Sequence, residues 1–371
     1  LQGVLGLVIW NDKPEDSERD QIEEEGRWMA ILGIESVVYG VEDMALCNRF
    51  WDDYGLTRLD GPEDGSVWGF PSGSRLIMRP IDDPELPPAY FPGSGARETF
   101  LGVDTAENLE ILVRRLKVDR EVRRDTDGTA HFVDPDGNPM ALRVWNKRPV
   151  LCRPDPVNAP DFIQRLNQHR KWRTRARPKT INHIVYFSDD YVATYEFYRD
   201  RLGFTMSDHS KANGIFARAD GTYEHHTIFW LTTQHKGTKG KRGYAHIAFG
   251  LEDIDEVMVG ANYMQDKGWS HERPFAAALN RHRISSAMYY YFPCPAGGDA
   301  EYHADTDYLD DGWVPRVWEM AFGGALWQTD SPGFFGQRGI TWDVKMDADE
   351  ASLEEYRGFG KTPSGDAGSI Y

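Results

Sequence analysis

Cysteine is scarce in this chain: Cys47, Cys152 and Cys294 are the only three in 371 residues, and they stand far apart. They form no CxxC pair, so neither a disulfide framework nor a zinc knuckle is expected, and a reducing, cytoplasmic setting fits best. Basic charge is also short. With 42 Lys and Arg against 59 Asp and Glu the formal net charge is −17, which argues against non-specific binding to nucleic acid or to anionic membranes. No apolar run reaches the ~18 residues that a membrane span needs. The opening "LQGVLGLVIW" is short and lacks the basic flank of a signal peptide. What is present is a chain with 40% hydrophobic residues, enough to fill the cores of roughly two folded domains.

The second half of the chain shows one grammar twice. "INHIVYFS" alternates as a strand and puts Ile181, His183, Val185 and Phe187 on one face. "DDYVATYEFYRDRLGF" follows with Tyr191, Tyr195, Tyr198 and Leu202 on one helical stripe, and Gly203 is its expected stop. "HHTIFWL" is a further strand. The pattern then restarts: "YAHIAFGL" is a strand, and "EDIDEVMVGANYMQDKGW" is a helix with Ile254, Val257, Met258 and Ala261 inward, stopped by Gly268. "SSAMYYYF" and "DAEYHAD" are strands separated by the turn "PCPAGG".

The first half repeats the plan. "LGIESVVYGVEDMALCNRFWDDYGLTRL" parallels "KTINHIVYFSDDYVATYEFYRDRLGFTM", and "HFVDPDGNPMAL" parallels "YFPCPAGGDAE". The expected class is α+β, with four βαβββ modules in two pairs. The expected division is an N-terminal extension (1–31), a first module pair (32–150), a Pro- and Arg-rich linker with a short helix (151–179), a second module pair (180–325) and a C-terminal arm (326–371).

Three residues stand at equivalent strand positions in the second pair: His183, His246 and Glu301. Their separations of 63 and 55 residues (246 − 183 and 301 − 246) are too long for a local metal motif. If the two modules pair across a pseudo-twofold axis, however, their sheets form one open cup and all three side chains face its interior. Two imidazoles and one carboxylate on one face of a divalent metal make the facial triad of non-haem Fe(II) oxygenases. In the first pair the corresponding positions are Ser36, about Leu101, and Ala141, so only the second pair is expected to hold metal.

With these residues in hand, the chain resembles the type I extradiol catechol dioxygenases of the vicinal oxygen chelate superfamily. The resemblance covers about residues 32 to 310, in the order strand histidine, "HHT" strand, "HIAF", "RH" loop, tyrosine strand and Glu-Tyr. It implies two glyoxalase/bleomycin-resistance/dioxygenase-like domains, with Fe(II), or alternatively Mn(II), on His183, His246 and Glu301. His226 then matches the family's acid–base histidine, with His225 as the alternative. His282 matches a histidine outside the ligand set that hydrogen-bonds the substrate. Tyr291 matches a tyrosine that contacts a substrate oxygen, with Tyr289 or Tyr290 as alternatives. His282 and Tyr291 are expected to donate to the charge that develops there.

The implied substrates are a catechol and O2, and the implied product is a hydroxymuconic semialdehyde. A homo-oligomer is implied, with no nucleic-acid or membrane partner. Two departures stand out. The family's "DPDG" turn before the glutamate is here "CPAGG", and Ala277 stands where relatives that bind carboxylated catechols carry arginine, which leaves recognition of an acidic substituent in doubt. The small run Ala276, Ala277 and Ala278 leaves room for a bulky or apolar group. Two competing readings are a 4-hydroxyphenylpyruvate dioxygenase-like α-keto acid oxygenase and a metal-free binding protein for small aromatics.

Overall fold

β1 (Ile31–Val41) leads into α1 (Met44–Tyr54), then β2 (Thr57–Leu59), β3 (Ser66–Gly69) and β4 (Arg75–Pro80), and β4 returns to lie parallel beside β1. In the computed structural model, which describes residues 30–62, 64–88, 92–235, 237–273, 276–329, 345–346 and 350–358, this βαβββ unit occurs four times. The second unit is β5 (Gly95–Val103), α2 (Ala106–Leu116), β6 (Arg123–Arg124), β7 (Ala130–Val133) and β8 (Pro139–Val144). The third is β9 (Thr180–Ser188), α3 (Tyr191–Leu202), β10 (Thr205–Ser210), β11 (Gly214–Arg218) and β12 (Ile228–Thr232). The fourth is β13 (Tyr244–Gly250), α4 (Ile254–Asp266), β14 (Asn280–Arg281), β15 (Met288–Pro293) and β16 (Asp299–Ala304). After it come β17 (Arg316–Trp318), a short α5 (Met320–Gly323), β18 (Trp327–Gln328), β19 (Lys345–Met346) and a 3-10 turn at Glu350–Tyr356.

The units pair as expected. In the first sheet the order is β2-β3-β4-β1-β5-β8-β7-β6, and in the second it is β18-β14-β15-β16-β13-β9-β12-β11-β10-β17-β19. The opening strands meet antiparallel at the middle of each sheet, β1 with β5 and β9 with β13. The fold is therefore α+β, with two paired-module units.

Local chemistry explains the helices. Asp190 caps α3 by accepting from the Ala193 amide, and Gly203 ends it at φ 73. Tyr191, Tyr195, Tyr198 and Leu202 are buried, as their spacing predicts. The inner face of α4 is rotated from expectation: Val257, Gly260, Ala261 and Met264 are buried, whereas Ile254 and Met258 are half-buried. Gly260 is the reason, because a Cβ there would lie 2.5 Å from that of Ala176, so the helix sits close on its glycine.

Across the two halves α1 packs on α4 and α2 on α3. Trp51 and Tyr54 of α1 meet Phe249 and Tyr302 at ring distances of 5.6 and 4.2 Å, and a single buried cluster runs through both sheets.

The expected linker helix is absent. Residues 151–179 hold no helix, only an isolated bridge between Ala159 and Phe162. Phe162, Ile163, Leu166 and Trp172 stay exposed. A short helix gains most of its stability by burying an apolar face, and here no surface covers one. The expected N-terminal extension lies outside the described residues apart from residues 30 and 31, as does most of the arm.

Candidate metal centre and cavity

The register of the second sheet brings the triad together. On β13, Ala248 lies opposite His183 of β9 on one side and Glu301 of β16 on the other. His246, two residues earlier, projects from the same face because side chains alternate along a strand. Ala248 contributes only a methyl group, so the space above this rung is left to its three neighbours.

His246 Nε2 lies 3.1 Å and His183 Nε2 lies 3.5 Å from Glu301 Oε2, and the three potential ligand atoms all fall within 4.8 Å of one another. Ligands at right angles on a divalent metal with bonds of about 2.1 Å stand about 3.0 Å apart, so this donor set fits such an ion with little movement. The chemistry of Glu301 agrees. Both carboxylate oxygens are buried without a hydrogen-bond donor of good geometry, a costly arrangement unless a cation compensates it. Burial drives the Glu301 carboxyl up, but the His183 and His246 imidazoles overcome this and hold it well below the usual carboxylate range. His183 Nδ1 lies 2.8 Å from Asn182 Oδ1, so Nδ1–H donates there and Nε2 keeps its lone pair for the centre.

His183 and His246 of the triad line a cavity of about 310 Å³. One wall is apolar, with Val185, Phe187, Phe229 and Leu231 beside the stacked Phe216, whose ring lies 3.9 Å from that of Phe229. His226 and His282 also line it. The His226 ring centre is 4.0 Å from that of His183, and burial together with the surrounding imidazoles drives His226 well below its ordinary value. Its neighbour His225 is fully buried and does not line the cavity. His282 stacks on Tyr289 at 3.9 Å and its Nδ1 lies 2.7 Å from the Gly324 carbonyl. Burial lowers the His282 imidazole to about 4.

Tyr291 lies opposite Glu301 in the sheet, and Tyr289, two residues away, shares its face. Tyr290 points into the core on the other side, where Gln265 donates to its hydroxyl. Ala276 lines the cavity, and no arginine is supplied from position 277.

Sequence reasoning missed His303. It lines the cavity, buried with Nε2 unpartnered, and its ring centre is 5.2 Å from that of His183. Burial lowers it to about 3. Its signal was available, since it stands two residues after Glu301 on an alternating strand.

One module equivalence needs correction. Ser36 and Ala141 do occupy the places of His183 and Glu301, because Phe100 lies opposite both, as Ala248 does in the second sheet. The counterpart of His246 is then Glu98, opposite Val38, and not Leu101. Irregularities in the β1–β5 pairing on either side of this point shift any simple count. In the first sheet Phe100 fills the rung that Ala248 leaves open, packed with Val38 and Ala141. Glu98 instead accepts from His131, which stands where Tyr291 stands in the second sheet.

Among the described residues, this triad is the one cluster of three or more His, Cys, Asp or Glu side chains placed to hold a metal. The chain is similar to several known proteins. Residues 180–285 match the Glyoxalase/Bleomycin resistance protein/Dioxygenase superfamily. Metapyrocatechase 2 of Cupriavidus necator is 26% identical over 309 residues, which are 82% of this chain and 92% of that protein. An iron-dependent extradiol dioxygenase of Rhodococcus jostii (strain RHA1) is 24% identical over 282 residues, 72% of this chain and 88% of that one. Among solved structures, the Mn(II)-bound glyoxalase of Novosphingobium aromaticivorans shares the fold with a TM-score of 0.60 at 20% identity, covering 84% of this chain and 91% of that one. The second half of the chain thus matches the glyoxalase/bleomycin resistance protein/dioxygenase superfamily, and the chain is similar to a metapyrocatechase and to an extradiol dioxygenase.

Proposed function

We propose that the chain is an extradiol dioxygenase, which opens the ring of a catechol-type diol beside its hydroxyl pair with both atoms of O2. The observation that carries this reading is the buried Glu301 carboxylate, without a well-aligned hydrogen-bond donor, between the imidazoles of His183 and His246, which line a cavity of about 310 Å³. His183, His246 and Glu301 are assigned as the metal ligands. Fe(II) is the assigned metal, in line with the iron-dependent relative, although the same donors accept Mn(II). The bound ion supplies a Lewis-acidic, redox-active centre that gathers the diol and dioxygen.

The side chains around it divide the remaining work. His226, rather than His225, takes and returns the proton, because it alone of the two faces the cavity. His282 gives its Nδ1–H to Gly324, so in its neutral form Nε2 accepts a hydrogen bond from a substrate hydroxyl. That reverses the donor role expected from sequence. Tyr291 contacts a substrate oxygen, with Tyr289 beside it on the same face. The wall of Val185, Phe187, Phe216, Phe229 and Leu231 excludes water and favours an apolar ring substituent.

The same reading keeps module-pair units at 32–150 and 180–325 joined by the 151–179 segment, a homo-oligomer, and a reducing compartment for three free cysteines. The test is oxygen uptake by the Fe(II)-loaded chain with alkyl-, aryl- and carboxy-substituted catechols, with absorbance followed for a yellow ring-fission product. One-to-one uptake and product support the reading. Absence of uptake with every catechol, despite bound iron, refutes it.

A further inference from the structure

Behind His226, on the side away from the cavity, lies a chain of buried polar groups that the reaction as described does not use. His226 Nδ1 is 3.0 Å from His225 Nδ1, and His225 Nε2 is 2.9 Å from Asp208 Oδ2. Asp208 and His225 are fully buried. Arg316 closes the chain: its Nε and Nη2 lie 3.1 and 2.6 Å from the two Asp208 oxygens, and its backbone N–H donates to Oδ1 at 2.8 Å. The guanidinium is itself held between Trp313 and Trp318, at 4.4 and 4.7 Å from their ring centres, and gives a further hydrogen bond to the Ile284 carbonyl.

With His225 neutral, the direction of every hydrogen bond follows from one end. The guanidinium only donates, and it donates to both oxygens of Asp208, so Asp208 only accepts. His225 must then place its hydrogen on Nε2. In a neutral imidazole the other nitrogen is an acceptor, so His225 Nδ1 receives a hydrogen from His226 Nδ1. The second nitrogen of His226, Nε2, is left as a bare lone pair on the ring that lines the cavity.

We propose that the buried Asp208–His225 pair is a positioning relay that fixes His226 as its Nδ1–H tautomer and presents the Nε2 lone pair to the bound substrate. The proposal rests on the reading of His226 as the proton acceptor, and it adds that the acceptor is set before substrate arrives. Asp208 lies on β10 and Arg316 on β17, so the polypeptide beyond the fourth module takes part in preparing a base that the third module carries. His225 and Asp208 touch neither substrate nor metal, and are positioning residues.

Two measurements test it. In the full chain labelled with ¹⁵N-histidine and free of paramagnetic iron, ring-nitrogen spectra should show His225 protonated at Nε2 and His226 at Nδ1. The His226 preference should vanish in His225→Phe and survive in His225→Gln, whose amide oxygen still accepts. A wild-type His226 protonated at Nε2 overturns the proposal. In the iron-loaded chain His225→Phe should lower kcat about ten- to a hundredfold with iron content and KM little changed. In a His226→Ala background the same substitution should cost nothing more. An equal loss in both backgrounds would mark His225 as merely structural. Failure of the wild-type chain to cleave any catechol overturns the proposed function instead, and the tautomer spectra then decide the relay alone.

Discussion

Ala248→Phe is the substitution through which the two sheets explain each other. It should give a folded protein that no longer holds metal. The Ala248 methyl lies on the rung between His183 and Glu301, whose nearest ligand atoms are 3.5 Å apart. An aromatic ring there takes the volume in which an ion would sit. The first sheet already carries Phe100 at this rung, packed with Val38 and Ala141, so the fold accepts the ring. Overpacking a fitted site costs about 1–3 kcal/mol, which should appear as a lower Tm of the metal-free variant. Metal binding is a separate quantity. At a free metal concentration 100 times Kd, an ion that binds only the folded state stabilises it by about 2.7 kcal/mol. Wild type should therefore gain several degrees in Tm on adding Fe(II) anaerobically, and Ala248→Phe should gain none. Scanning fluorimetry with and without metal measures both quantities in one series, and elemental analysis gives the iron content. A variant that retains one iron per chain together with the full metal-dependent rise in Tm would refute the assignment of the ion to this rung.

Glu301→Ala and His246→Ala should each abolish iron retention and ring cleavage together, and full iron content in either would remove that residue from the ligand set. The turn that carries Asp134 and Asp136 packs on α3, where Thr194 donates to Asp136 and Tyr198 to Asp134. Burial raises both carboxyls, and the Asp134 charge raises Asp136 further. Groups raised in the folded state contribute stability below their unfolded value of about 3.9, and that contribution is lost as pH rises through the folded values. Wild-type Tm should therefore fall between about pH 4 and about pH 7 by more than that of Asp136→Asn, and equal slopes would exclude this pair as the source. Gly55 ends α1 at φ 98, and a Cβ there would lie 2.1 Å from the Ala176 carbonyl oxygen. Gly55→Ala should cost more than about 1 kcal/mol in urea titration, and an unchanged midpoint would contradict the geometry.

The triad was legible because each of its members obeys a short-range rule. His183, His246 and Glu301 sit on alternating strands, and module repetition supplies the frame that places those strands side by side. Tyr291 was legible for the same reason, and the inward face of α3 followed from its spacing. Other features depend on contacts that no window of sequence contains. Glu98 was misplaced because bulges break the count along β1 and β5. The Asp208–Arg316 pair joins residues 108 apart through a strand beyond the fourth module. The linker helix failed because propensity alone does not say whether a surface will cover an apolar stripe. The inward stripe of α4 shifted because one glycine lets a neighbouring backbone come close.

The aromatic cluster between the halves has a consequence for inheritance. Phe249 and Tyr302 occupy the strands of the candidate metal site but turn their backs to it, and they pack with Trp51 and Tyr54 of the half where the described residues hold no such triad. A gene fragment that encoded only the second module pair would carry His183, His246 and Glu301 and lose their buttress. The half without the triad is thus kept by what it presses against. In that half Phe100 fills the rung that stays open in the other, and the shared core makes the two halves a single heritable unit.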